Sequence, residues 1–400
     1  MRMVFVSRVA EFARIQKGKR GGLCAFILAL VLMGISVNVT CGQDESVSSE
    51  VDRFGSRPLL TDAQWNKLDN AVDRALTYLA RMQDSDGSYR TDPSGQPAVT
   101  ALATMAYLSR GHLPDEGQYS TEIQKGVDYV LSMQAPDGAI TLRRVGRDRA
   151  AHFEGNYNHA ISGLMLTEVY GMTSTKRQKL IQEVIENALA HSRTQQTMTK
   201  RFPDDRGGWR YMQRFGDTDS DLSITAWQLM FLRSARNAEF EIPEEWIDEA
   251  MGYVRRTFDK RKKGFRYGLR GEDDYVSRGM VGAGVVSLSL GGEHNTEIAQ
   301  QAGQWILNTS FDQFNRSIGM QDRYHYGAYY CSQAMYQLGG DYWFEFYPKL
   351  LDAYVENQNR DGSWDSESYS NDRKYGPMYS TALAVLALTP PYQILPIYQR

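Results

Sequence analysis

The sequence predicts an all-α fold, an (α/α)6 toroid of six inner and six outer helices. Three observations predict it. A turn of the form Gln-x3-Gly-x-(large apolar residue) recurs along the chain, in full at three places and in degenerate form at three more. Each turn is followed by a segment apolar on nearly every face, as a helix buried on most sides must be. Each is preceded by a segment apolar on one face only, as an outer helix must be. Repeats of this period, each one supersecondary unit, build arrays or rings. The count of six favours a closed ring over an open superhelix.

Residues 1–42 read as an export signal. Lys17, Lys19 and Arg20 precede an almost continuous apolar run over 23–37, and small residues follow at Thr40, Cys41 and Gly42. Cleavage is expected after Gly42, and a periplasmic or secreted location with it. An uncleaved anchor is the alternative, though the run is shorter than the roughly 20 residues that span a bilayer. Asn38-Val39-Thr40 before Cys41 is a poor lipoprotein pattern. No stable membrane span is expected after signal removal. Residues 43–60 are polar and are expected to form a disordered leader, with the toroid over 61–400.

Charge and cysteine content narrow the function classes. Beyond residue 42 the chain carries 39 Lys and Arg against 47 Asp and Glu. That balance gives no global attraction to nucleic acid, and no nucleic-acid partner is expected. Cys24 and Cys41 fall in the signal, so only Cys331 remains and no internal disulfide can form. A lone thiol on an apolar helix behaves as a small buried hydrophobe.

The elements follow in order. Residues 65–82 have Leu68, Val72, Ala75, Leu76 and Leu79 at helical period, with Thr61 or Asp62 as cap. The turn Gln83-x3-Gly87-x-Tyr89 leads to the first inner helix, 98–109. The outer helix 123–133 and the turn Gln134-x3-Gly138-x-Ile140 lead to the second, 158–170. The outer helix 176–191 and Gly208-Trp209 lead to the third, 222–235. The outer helix 243–258 opens on Pro243, suited to a first turn, with Glu244 and Glu245 at the positive end of the dipole. Gly264-Phe265 and the inner helix 280–290 follow, where Gly282-Ala283-Gly284 permits close approach. The outer helix 297–309, Gly319-Met320 and the inner helix 324–338 come next. The outer helix 344–357, Gln358-x3-Gly362-x-Trp364 and an inner helix over 378–388 complete the six. The turn residues are expected to fasten the ring: Gly permits a positive φ, Gln bonds exposed backbone, and the large residue packs between helices.

The turn, complete as Gln-x3-Gly-x-Trp at 358–364 and varied in the other five copies, stands beside an apolar helix six times over about residues 62–392 and resembles the QW repeat of squalene and squalene–hopene cyclases. It is also similar to the repeat of protein prenyltransferase β subunits. Gly207-Gly208-Trp209-Arg210-Tyr211, the stretch 223–230, Tyr329-Tyr330-Cys331-Ser332-Gln333-Ala334-Met335 and the terminal Leu395-Pro396-Ile397-Tyr398-Gln399-Arg400 resemble exported bacterial prenyltransferase and squalene oxidase repeat proteins. The resemblance implies the toroid. It does not fix an activity, because one fold carries many functions.

Candidate site residues come partly from this resemblance. The cyclases use an Asp-x-Asp-Asp acid, in which one carboxyl stays protonated beside an ionised one. Here Asp217-Thr218-Asp219-Ser220-Asp221 lacks the adjacent pair. Asp219 and Asp221 are the catalytic acid candidates and Asp217 a ligand-binding one. Simple capping of the next helix is the structural alternative. Asp322-Arg323-Tyr324-His325 is similar to the Asp-x-Tyr-His of the prenyltransferases, whose histidine binds zinc. The earlier Asp and Cys of that family have no counterpart at 276–280, and Cys331 is six residues from His325. No zinc and no other cofactor is therefore expected. Tyr324 and His325 stay as ligand-binding candidates. His152, Glu154, Asn158 and His159 form a polar group suited to a turn, or to metal binding or acid–base work, and His159 is retained from it. Tyr324, Tyr326, Tyr329, Tyr330, Tyr375 and Tyr379 cluster near inner-helix starts, where rings pack or line a cavity. Tyr329 and Tyr379 are kept as ligand candidates. The thioester domains that share this toroid need Cys-Gly-Glu-Gln, which is absent.

The expected function is binding of an isoprenoid, glycan or peptide at the central cavity beside the inner-helix N-termini, where backbone amides and polar caps converge. Whether the protein is an enzyme stays open. One alternative is a terpenoid, squalene-type cyclase with an aspartic general acid. The other is a carbohydrate-active enzyme, which would need paired carboxylates.

Overall fold

The computed structural model describes residues 54, 55, 57–142, 149–319 and 321–398; the expected signal, residues 1–42, lies outside them. Among the described residues there are twelve α-helices. The outer set is α1 (Asp62–Met82), α3 (Ser120–Ser132), α5 (Thr175–Thr197), α7 (Glu244–Thr257), α9 (Glu297–Leu307) and α11 (Gly340–Glu356). The inner set is α2 (Ala98–Ser109), α4 (Arg149–Val169), α6 (Leu222–Asn237), α8 (Arg278–Leu290), α10 (Tyr324–Leu338) and α12 (Gly376–Leu388). Each inner helix packs on the next, and α12 returns to α2, so the ring closes. Strands β1 (Phe258–Asp259) and β2 (Gly264–Phe265) form a short antiparallel pair in the fourth repeat.

Local chemistry sets the helix starts. Thr61 caps α1 in a reciprocal box with Gln64, whose amide nitrogen donates to the Thr61 hydroxyl at 3.3 Å. Thr296 caps α9 and Asp221 caps α6. Every residue of α2 is buried, whereas α1 buries only one stripe. α4 starts nine residues before the expected 158, which brings the Glu154 region onto a helix.

The recurring turn is a clamp between consecutive outer helices. The Nε2 of Gln83 donates to Gly87 O within its own turn and to Glu122 O on α3. Gln134 does the same to Gly138 O and Val184 O on α5. Gln358 donates to Gly362 O and to Ala71 O on α1, joining the last repeat to the first. Gln196 makes the same pair of bonds, to Gly207 O and Trp246 O, across a longer loop that hid it from the sequence pattern. The glycines have φ of +84° to +96°, and a Cβ at each would overlap a main-chain carbonyl of the neighbouring outer helix. The aromatic residue then points inward. The indoles of Trp209 and Trp364 donate to Ser192 O and Tyr354 O, both at 2.8 Å. Fully burying a ring of this size contributes about 3 kcal/mol.

Phe54 and Leu60 are buried, with the Phe54 ring 5.4 Å from Tyr336 and the Arg57 guanidinium 4.0 Å from the Phe344 ring. The end of the expected disordered leader is thus part of the ordered body, because it covers apolar surface on α10 and α11. At the other end of the chain, the Ile397 amide donates to the buried Glu168 carboxylate at 3.2 Å, which ties the C-terminal segment across α4. No helix among the described residues is long and apolar enough to cross a membrane.

Candidate functional site

A cavity of about 850 Å³ lies where the inner helices begin. Five of the six outer-to-inner linkers contribute to it among the described residues, and the second repeat contributes from the start of its inner helix. The first brings Ser94 and Gly95; the start of α4 brings Glu154, Tyr157 and Asn158. The third linker brings Tyr211 and Phe215, the fourth Tyr267, Glu272, Asp273 and Tyr275, the fifth Gln321 and Arg323, and the last 370–375. Tyr326 from α10 and Tyr379 from α12 complete the aromatic wall. The floor is apolar, with Val99, Leu102, Ile161, Trp227, Met280 and Leu383. Tyr329, one turn further along α10, stacks on Trp227 at 5.3 Å and 7° and does not reach the cavity.

Asp372 is the titratable group best placed for chemistry. It sits on the wall with its side chain about one-fifth exposed, 3.4 Å from the Arg323 guanidinium. The Tyr379 hydroxyl donates to its Oδ2 at 3.4 Å. Burial pushes its carboxyl up to about 6 against the pull of Arg323, with Glu367 and Glu154 adding to the rise. Its one-fifth exposure is to the cavity, so the protein encloses it without cutting it off from a ligand. Glu154 lines the same space and accepts from Lys374 Nζ at 2.9 Å.

The three aspartates of 217–221 part company. Asp217 is exposed at the surface and does not line the cavity. Asp219 is gripped by Arg201, whose Nε and Nη2 donate to it at 2.9 and 2.7 Å and whose amide donates at 2.6 Å. Burial opposes ionisation there, but those bonds outweigh it and hold the carboxyl below the usual range. Asp221 is fully buried as the α6 cap, accepting from the Ile224 amide at 2.8 Å, from Arg210 Nη1 at 3.2 Å and from the Tyr267 hydroxyl at 3.2 Å. Burial pushes it up to about 6 despite Arg210. Each carboxylate has its own arginine, so the two do not form a proton-sharing pair. Asp221 does not line the cavity; it touches two groups that lead there, Tyr267, whose hydroxyl lies 3.0 Å from that of Tyr211, and Arg210, which also bonds the lining Asp273 at 2.9 Å.

His159 and His325 are tied into the hydrogen bonds of the ring itself. His159 Nδ1 accepts from the Ile140 amide at 3.1 Å, and Nε2 meets Ser192 Oγ at 2.9 Å. In the third and sixth repeats Thr225 and Thr381 accept the equivalent amides of Trp209 and Trp364. His159 thus holds the turn in the second repeat, and burial lowers its pKa to about 3. His325 bonds the Tyr354 hydroxyl at 3.0 Å and Asp365 O at 2.9 Å, and burial keeps it neutral-leaning as well. Tyr324 donates to Phe311 O at 3.0 Å. Neither Tyr324 nor His325 lines the cavity; of the sequence-derived ligand candidates, Tyr379 does. The side chain of His152 is outside the described residues. Asp322 pairs with the buried Arg278, and Cys331 is buried with its thiol against Arg278 O. Among the described residues no group of three or more His, Cys, Asp or Glu is placed to hold a metal ion.

No protein-family model matches the sequence, and no curated protein matches it. Solved structures do. The type II terpene cyclase MstE from Scytonema, in complex with geranylgeranyl dihydroxybenzoate, superposes with a TM-score of 0.56 at 14% identity, covering 84% of this chain and 100% of that one. The chain is an α/α toroid. A family 76 glycoside hydrolase from a bovine Bacteroides thetaiotaomicron strain gives 0.58 at 11% identity, covering 82% of this chain and 78% of that one. An unsaturated glucuronyl hydrolase specific for heparin gives 0.56 at 12%, covering 82% and 97%. At these identities the likeness is one of fold, and the toroid alone does not choose between terpene and saccharide chemistry.

The toroid's site residues that the sequence missed are Asp372, Arg323, Asp273, Tyr211 and Tyr267. Arg323 and Tyr211 fall inside sequence motifs at positions to which those motifs give no role, and no motif covers Asp372, Asp273 or Tyr267. The available signal is position: all lie in linkers running from an outer helix to the next inner one.

Proposed function

We propose that the protein binds a polyhydroxylated, saccharide-type ligand in the cavity at the inner-helix N-termini. The observation that carries this reading is the wall itself, which sets tyrosine rings among Glu154, Glu272, Asp273, Asp372, Arg323 and Lys374. Aromatic faces take the C–H faces of sugar rings, and carboxylates, guanidinium and hydroxyls take up the sugar hydroxyls. An isoprenoid filling the same space would desolvate several charges without bonding them. The two hydrolases above are built on this fold, so the fold is compatible with a saccharide ligand. Export, suggested by residues 1–42, suits such a ligand.

Asp372 is the group through which binding would become catalysis. A carboxyl that keeps its proton to about pH 6 beside a ligand can act as a general acid. Glu154, paired with Lys374, shares that wall with Glu272 and Asp273 and is one further carboxylate facing the space. A cyclase-like reading rests on the apolar floor, and there too Asp372 rather than Asp219 or Asp221 is the acid within reach. Calorimetry with α-manno-oligosaccharides, heparin-derived oligosaccharides and geranylgeranyl dihydroxybenzoate, followed by mass spectrometry of products, separates the readings. A saccharide is expected to bind, and Asp372→Asn to weaken it about tenfold and abolish any product. Retention of the isoprenoid alone would sink the saccharide reading.

A further inference from the structure

We infer that Phe215, Phe153 and Tyr211 form a stacking platform at the cavity mouth for a second ring of a glycan chain, so that the site takes a chain and not a lone sugar. This rests on the saccharide reading and extends it outward. Phe215 lines the cavity yet is 54% exposed. Its ring meets Phe153 edge to face at 4.9 Å and lies 6.1 Å from Tyr211, while Phe153 meets Tyr211 at 5.2 Å. The three rings thus make one apolar surface running from the cavity wall to solvent. A single exposed apolar side chain needs no explanation. A cluster of three that is continuous with a polar-rimmed cavity is a different case.

The platform is also held still. Phe215 pairs with Thr218 across a tight turn in which Gly216 has φ +66°. Arg201 Nη2 donates to Gly216 O at 3.0 Å, and the Thr218 hydroxyl donates to Asp273 at 2.7 Å. Arg214 donates to Thr199 O at 2.8 Å on the outer side of the turn. Asp273 lines the cavity itself, so the platform and the wall share a support. The Arg210 guanidinium lies 4.6 Å from the Tyr211 ring and bonds Asp273 at 2.9 Å, which fixes the third ring. Neither Phe215 nor Phe153 carries a polar group, so the surface recognises a ring face and not a hydroxyl pattern. The partner that fits is a pyranose whose axial hydrogens present an apolar face, linked to the ring bound inside.

The test compares chain lengths on the full protein. Affinities for mannose and for α-manno-oligosaccharides of two, four and six rings, with heparin-derived oligosaccharides alongside, are measured by calorimetry for wild type, Phe215→Ala and Phe215→Trp. Affinity is expected to rise with length in the wild type. Phe215→Ala should lose roughly three- to tenfold for every ligand of two or more rings, matching one aromatic contact, and change the monosaccharide, which has no second ring to stack, by less than about twofold. Phe215→Trp should restore the dependence on length. Phe215 is exposed, so the alanine variant is expected to fold, and circular dichroism checks that. Equal loss for the monosaccharide and the chains, or no loss for any, overturns the platform while the cavity reading stands. Absence of binding by every saccharide overturns both.

Discussion

Asp219 and Asp221 stand two residues apart and behave oppositely as acids, because one faces an arginine at the surface and the other is buried under a helix. Arg201 keeps Asp219 ionised, while burial keeps Asp221 protonated to about pH 6. The sign of the Asp221 effect follows. The folded-state carboxyl titrates near 6 and the reference one at 3.8, so the native state holds the extra proton between them. Asp221 therefore costs stability as pH rises through that window. Asp221→Asn removes the charge, keeps a capping oxygen for the Ile224 amide and leaves Arg210 its contact with Asp273. Relative to wild type, the variant is expected to gain stability from about pH 4 to about pH 7, by up to roughly 3 kcal/mol. Urea midpoints at several pH values measure it; a difference independent of pH would refute the buried, protonated Asp221.

At the scale of the element, the turn matters more than the helix it precedes. A helix apolar all round could slide or rotate against its neighbours, and the turn is what sets its position. Gly362→Ala is expected to cost about 3 kcal/mol, since φ +96° strains any side chain and the Cβ would overlap the Arg74 carbonyl. Gln358→Ala should cost about 1–3 kcal/mol by leaving the Ala71 and Gly362 carbonyls without their donor. Denaturant unfolding reads both, and the glutamine clamp is wrong if Gln358→Ala unfolds like wild type. His159 belongs to this scale too. It stands where two other repeats have threonine, so His159→Thr should be tolerated far better than His159→Ala, by thermal midpoint.

Across the whole molecule, closure is what creates the cavity. The packing of α12 on α2, and of α11 and α12 on α1, turns a row of repeats into a ring. A chain ending at residue 357 would expose the flanks of α2 and α10 that α12 covers. It is expected to show helical circular dichroism without a cooperative unfolding transition, whereas the intact chain should unfold in one step. A sharp transition in the shortened chain would mean that the repeats hold without closure.

The sequence by itself determined the helices, their order and their inner or outer place, because buried and half-buried helices differ in how their apolar residues are spaced. It also carried the fastening role of Gln83, Gln134 and Gln358, since one local bond pattern recurs with one local signature. Gln196 escaped because its loop is longer, and the fourth and fifth repeats lack the glutamine in that position. Tertiary structure alone decided the site. Whether an aspartate ahead of an inner helix is a cap, an ion-pair partner or a cavity acid depends on which arginine reaches it and how much water it keeps. Asp219, Asp221 and Asp372 occupy similar linkers, and only the closed ring places Asp372 on the cavity wall while Arg201 holds Asp219 outside it and α6 buries Asp221 beneath Tyr267.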